Sequence, residues 1–327
     1  MSAQRKTTAS GTRPPTAVFM GTPAFAARVL EALIAAQGRS FTLAAVVTAP
    51  DAARGRGLEL APSEVARVGA RAGLPLLKPA TLKGAQFVKR LGALAPDLLV
   101  VVAYGRILPQ PVIDLARLTA VNLHASLLPR HRGAAPVPAA ILAGDRETGV
   151  TVMRITREMD AGPILMQRAT TILPDDTRAT LEDRLCELGA ALLVEALERI
   201  AAGTIVETPQ DPSLATYTKL LSKADAVIDW SLPAQAIERM ARAYDPWPVA
   251  RTTLAGAPLM VYRAACEAPV LFAEPPGTVV AVEPEPVVQC GAGCLRLVEV
   301  KLAGRRKVSG AELARGRFIK AGDRLGR

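Results

Sequence analysis

The run D-L-L-V-V-V-A-Y, residues Asp97–Tyr104, decides how the rest of the chain is read. From Leu98 to Ala103 it carries no polar residue on either face, and Tyr104 and Gly105 close it. A strand that is apolar on both faces is buried on both faces, the habit of parallel sheets. Strands and helices alternate around it. Upstream, Thr16–Met20 is an apolar strand followed by Gly21, with Thr22 as a helix N-cap and Pro23 at the first helical position. Phe25, Val29, Leu30, Leu33 and Ile34 then form one helical stripe. Phe41–Ala49 is a second strand, Ser63–Ala72 a helix closed by Gly73, Leu74–Leu77 a short strand, and Gly84–Leu94 a helix. Downstream come a short helix from Leu108 and Pro109, a strand from Val121, a helix at Pro136–Ala143, and strands at Gly149–Ile155 and Met166–Leu173. A long helix capped by Asp176 or Thr177 runs to Ala202. This order predicts an α/β, doubly wound, mostly parallel Rossmann-like sheet with right-handed crossovers, whose ligands bind outside the carboxyl ends of the strands.

A chain of 327 residues, half of them hydrophobic, has material for two domains. Residues 1–15 are polar and basic and read as a disordered extension, residues 16–203 as the α/β domain, 204–222 as a linker and 223–327 as a second domain. In the second domain the periodicity falls to two. Arg251–Leu254 and Leu259–Ala264 flank Ala255-Gly256, a hairpin signal. Gly277–Val282, Val287–Cys290 and Leu295–Leu302 follow, which with the helix Ala234–Ala243 suggests a small C-terminal OB-like β-barrel.

The formal charge is +10, which points towards an anionic partner. Residues 301–327 concentrate it, with nine Lys or Arg against two Asp or Glu. No apolar run reaches the length of a membrane span, and the N-terminus lacks the apolar region of a secretory signal. Cys186, Cys266, Cys290 and Cys294 are scattered and complete no zinc set, so reduced packing cysteines, a cytoplasmic setting and no metal are expected. The turn after the first strand has one glycine, not G-x-G-x-x-G, which argues against a nicotinamide dehydrogenase.

The stretch V-N-L-H-A-S-L-L-P-R-H-R-G-A-A-P, Val121–Pro136, holds both histidines of the chain. On a strand, Asn122, His124 and Ser126 share one side and Val121, Leu123 and Ala125 the other. Buried polar groups without partners cost roughly 1–3 kcal/mol each, so three in register mark a site. For an isolated N-x-H the plainer reading is that the two residues cap the sheet edge and satisfy each other; the neighbouring residues tip the balance towards a site.

This stretch resembles the signature of formyltransferases that use 10-formyltetrahydrofolate, and its R-x-R-G-A-A-P continuation is most similar to the methionyl-tRNA formyltransferase family. The resemblance runs from Val18 to about Leu325. It implies that Asn122, His124 and Asp160, the last in M-D-A-G-P, are catalytic. It implies that the folate lies against Ser126, Leu127, Leu128 and Pro129. It also implies that Arg56, in the G-R-G of the loop 50–62, contacts the acceptor end of a methionyl-initiator tRNA. Leu58 and Glu59 depart from the lysines that relatives often carry there. From local sequence alone, Asp160 before Ala161-Gly162-Pro163 would be an Asx-turn residue.

The chemistry follows from the residue types. An amine attacking a formyl carbon creates an oxyanion, which Asn122 and a ring nitrogen of His124 could meet with donors, while Asp160 orients the histidine and moves a proton through water. A monomer is expected. The alternatives are a folate-dependent formyltransferase acting on a small nucleotide or sugar amine, and a non-catalytic RNA-binding protein.

Overall fold

A computed structural model describes residues 13–54, 59–267 and 274–326. Arg56 and most of the N-terminal extension lie outside the described residues. The chain forms two compact units. One lies within Met1–Pro136, Glu147–Thr171 and Glu182–Thr218; the other comprises Val137–Arg146, Ile172–Leu181 and Lys219–Arg327.

In the first unit the strands are β1 (Thr16–Gly21), β2 (Thr42–Val47), β3 (Ala52–Arg54), β4 (Glu59–Ala61), β5 (Leu76–Leu77), β6 (Leu98–Val102), β7 (Thr119–His124), β8 (Arg132–Gly133), β9 (Glu147–Arg154), β10 (Ile164–Thr171) and β11 (Tyr217–Thr218). Seven make the main sheet, in the order β10-β9-β7-β6-β1-β2-β5. Strands β7, β6, β1, β2 and β5 run parallel to one another. Strands β9 and β10 are antiparallel additions at one edge. The sheet is therefore mostly parallel, as the alternation predicts. All five residues of β6 are buried, at about 1.5–3 kcal/mol for each fully buried aliphatic side chain.

The helices are α1 (Ala24–Ala36), α2 (Glu64–Arg71), α3 (Ala85–Gly92), α4 (Gln110–Ile113), α5 (Pro136–Ala143), α6 (Arg178–Ala201), α7 (Ala234–Tyr244) and α8 (Gly310–Arg315). Phe87 and Leu91 of α3 pack with Val18, Met20, Leu99 and Val101 in one core. Thr22 does not cap α1. The N-cap is Pro23, without a side-chain bond, and the Thr22 hydroxyl donates instead to the Tyr104 carbonyl at 3.2 Å. A hydroxyl beside a neighbouring strand end finds a carbonyl there before it finds its own helix. Ser63 does cap α2, accepting from the Ala66 N–H.

The second unit is an antiparallel β domain. Its strands are β12 (Ala250–Leu254), β13 (Ala257–Cys266), β14 (Val279–Ala281), β15 (Val287–Gln289), β16 (Cys294–Leu302) and β17 (Val308–Ser309). They are ordered β12-β13-β16-β15-β14, with β17 on β16. Ala255 and Gly256, both at positive φ, make the tight turn between β12 and β13, the conformation a two-residue hairpin demands. The tail joins the two sheet edges: Leu325 bridges Leu254 and Arg324 bridges Thr278. Trp230, Ile237, Leu259, Val261, Leu295 and Leu297 belong to its core. The basic tail also carries α8, whose start is a capping box of Ser309 and Glu312. The charge pattern had hidden it.

Candidate active site

Strand β7 lies between β6 and β9, with Asn122 opposite Val101 and Met153, and His124 opposite Thr151. Asn122 and His124 therefore leave the same face at the carboxyl end of a parallel strand, where an open α/β sheet places ligands. The strand ends at His124, so Ser126 is not on it. The Ser126 hydroxyl turns inward and donates to the Arg130 carbonyl at 2.6 Å. The period-two reading fails after Ala125 because the chain enters a turn before the Leu128–Pro129 bond.

His124 is only 6% exposed. Its Nε2 lies 2.9 Å from the His131 carbonyl. A carbonyl only accepts, so Nε2 carries a proton and donates. Nδ1 lies 3.7 Å from Asp160 Oδ2. Burial pushes the His124 pKa below the ordinary histidine value, while the Asp160 charge and the His131 carbonyl pull it back up. With Nε2 donating, a neutral ring keeps its lone pair on Nδ1.

Asp160 is not an Asx-turn residue. Its Oδ2 accepts the Gly133 N–H at 2.8 Å, 27 residues away. It sits at φ +51°, a left-handed conformation that Asp tolerates better than most side chains. Two glycines make this possible. A Cβ on Gly162 would stand 1.8 Å from the Arg154 carbonyl, and one on Gly133, at φ +112°, 2.3 Å from the Thr218 carbonyl. Neither position has room for a side chain. The Asn122 amide is half-buried and has no protein hydrogen-bond partner among the described residues. A polar group in that state is available to a ligand.

The loop Ser126–Pro129 is held from behind. Thr151 Oγ1 donates to the Ser126 carbonyl at 2.6 Å and accepts the Leu128 N–H at 3.2 Å. Gln167 Nε2 donates to the Leu128 carbonyl at 2.8 Å and to Thr151 Oγ1 at 2.9 Å. Sequence reasoning found neither residue. Both sit on β9 and β10, and only the sheet register brings them to the loop.

Residues 204–222, read as a linker, also supply the site. Thr216 Oγ1 accepts the His131 N–H at 2.8 Å. Thr218 Oγ1 accepts the Ala135 N–H at 3.1 Å, and β11 pairs with β8 in parallel. Gln210 bonds to Arg132, Asp160 and Gly162. No local signal marks these residues. Among the described residues, no group of three or more His, Cys, Asp or Glu is placed to hold a metal ion, and no helix is long and apolar enough to cross a membrane.

Residues 16–197 match the family described as Formyl transferase, and residues 220–317 the family described as Formyl transferase, C-terminal domain. A methionyl-tRNA formyltransferase of Methylococcus capsulatus is 48% identical over 309 residues, covering 94% of this chain and 99% of that protein. One from Thiobacillus denitrificans is 47% identical over 310 residues, with the same coverage. Among solved structures, HypX from Aquifex aeolicus in complex with tetrahydrofolic acid is 18% identical, with a TM-score of 0.61 over 94% of this chain. This chain spans about half the length of HypX, 47%. WlaRD, a sugar 3N-formyl transferase, is 13% identical, with a TM-score of 0.63 over 90% of this chain and 100% of that one. The two structures show the shared fold.

Proposed function

We propose that this chain, which belongs to the methionyl-tRNA formyltransferase family, transfers the formyl group of 10-formyltetrahydrofolate to the α-amino group of methionyl-initiator tRNA. The observation that carries the reading is the open Asn122 amide beside the His124–Asp160 pair, at the carboxyl end of a central strand.

The roles follow from which groups are already engaged. Asn122 has a free donor and meets the oxyanion that develops on the formyl oxygen, a contact worth about 3–4 kcal/mol when well placed. His124 Nε2 is committed to the His131 carbonyl, so Nδ1 is the nitrogen left for chemistry. Neutral His124 takes a proton from the attacking amine as the new C–N bond forms. Asp160 stabilises the resulting imidazolium. His124 then returns that proton to the folate nitrogen as the old C–N bond breaks, leaving tetrahydrofolate and the formylated amine. An α-amino group has a pKa of about 7.7–8.0, so a mild base suffices. This differs from the expectation that His124 also donates to the oxyanion, because the carbonyl of His131 already occupies that donor.

The folate is assigned to the rim formed by Ser126, Leu127, Leu128 and Pro129. Since Thr151 and Gln167 take up much of this loop's backbone, the half-buried side chains of Leu127 and Pro129 are what it offers a flat heterocycle. Arg56 is assigned to the acceptor end of the tRNA. In the second unit several cations are already occupied: Arg306 pairs with Glu312 and Lys307 with Glu299, and Arg305 stacks over Phe318. Among the described residues Lys301, Arg315, Arg317, Lys320 and Arg324 have no such partner, which makes them the side chains suited to meet phosphates.

Incubation with 10-formyltetrahydrofolate and methionyl-tRNA, then base hydrolysis, should release N-formylmethionine. Formylation of a nucleotide or sugar amine but not of charged tRNA would overturn this substrate assignment.

A further inference from the structure

We propose that Gln210 is a positioning residue for formyl transfer, a clip whose amide keeps Asp160 within reach of His124; this rests on the function proposed above. Both ends of the amide are engaged. Its Oε1 accepts Arg132 Nε at 3.1 Å and Arg132 Nη2 at 2.8 Å. Its Nε2 donates to the Asp160 carbonyl at 2.8 Å and to the Gly162 carbonyl at 2.7 Å. Two donors and one doubly accepting oxygen exhaust what a glutamine can offer.

The partners lie on the two pieces of chain that must meet for the site to exist. Arg132 directly precedes Gly133, whose N–H holds the Asp160 carboxylate. Asp160 and Gly162 flank the turn that presents that carboxylate. Asp160 is at φ +51°, and a strained residue persists only where its surroundings over-determine it. Gln210 fixes the two carbonyls around that strain. It is also the closest polar anchor of the Arg132 guanidinium, which is 3% exposed. The other contacts of that group are longer, 3.4 Å to the Tyr217 hydroxyl and 3.7 Å to Glu158.

Two variants separate these duties. Gln210→Ala removes both. Gln210→Glu still accepts from Arg132 but has no donor for the two carbonyls. Each is compared with the full-length wild type by steady-state formylation and thermal unfolding, and Gln210→Ala also by NMR titration of the His124 ring. Both variants should lose about tenfold to a hundredfold in kcat, as a displacement near 1 Å would produce. KM for folate and for tRNA should stay within about twofold. Gln210→Glu should unfold close to the wild-type temperature, which a purely structural role would not combine with a lost kcat. In Gln210→Ala the His124 midpoint should move to lower pH, because the carboxylate that raises it drifts away.

With an active wild type, an unchanged kcat in Gln210→Ala, full kcat in Gln210→Glu, or a loss confined to KM would overturn the proposal. If the wild type makes no formylmethionine, the function reading fails by itself. The His124 midpoint in Gln210→Ala then still decides the clip, and an unmoved midpoint rejects it.

Discussion

Residues 121–136 and residues 204–218 meet at one hydrogen-bonded site, yet they contribute different things to it. The first segment brings the groups assigned to the reacting atoms, Asn122 and His124. The second brings Gln210, Thr216 and Thr218, which hydrogen-bond to the backbone and side chains around that site. Chemistry needs unusual residues at a strand end, and these stand out against an apolar sheet. Support needs only an ordinary polar residue at the right distance, which does not stand out at all.

The largest effect that would sharpen this contrast is at Asn122. Asn122→Ala should lower kcat by about a hundredfold to a thousandfold, the range for one lost oxyanion donor, with thermal stability unchanged because the amide has no protein partner. Rapid-quench formylation measures it, and a stability loss without a kcat loss would reverse the assignment. Thr216→Val should do the opposite. It strips the His131 N–H of its acceptor, at a cost of about 1–3 kcal/mol in stability, read by urea unfolding, while kcat falls less than in Asn122→Ala. A larger kcat loss in Thr216→Val would erase the distinction between the segments.

The smallest effect is electrostatic. The chain has only two histidines, so their ring signals are readily separated by NMR. The midpoint of His124 should lie below the ordinary histidine value, since burial is the leading cause of its shift. Asp160→Asn removes the charge that favours the imidazolium, so the midpoint should fall further. A rise would mean that Asp160 does not face the ring in solution.

Much of the fold could be read from side chains in order. The Leu98–Val102 run announced a buried parallel strand, and Ala255-Gly256 announced the hairpin that its positive φ values require. The reversed direction of β9, which makes its pairings with β7 and β10 antiparallel, could not be read, because strand composition carries no arrow. Nor could the length of β7: alternation placed Ser126 on the strand, but the chain turns after His124 and buries that hydroxyl on Arg130. At the site, Asn122 and His124 were legible as polar residues in an apolar strand. Asp160 was legible only through resemblance, because its partner Gly133 is 27 residues distant. Gln210, Thr151 and Gln167 were not legible, since sheet register and a returning segment, not local pattern, put them there.

The central claim is that His124 handles the transferred proton while tRNA binding lies elsewhere. Single-turnover formylation of methionyl-tRNA by His124→Ala, with tRNA affinity measured on the same preparation, tests it most directly. The expected result is a rate reduced by about 10²–10⁴, the usual yield of general acid–base catalysis, with tRNA affinity retained. A wild-type rate in that variant, or a loss explained entirely by weaker tRNA binding, would contradict the account.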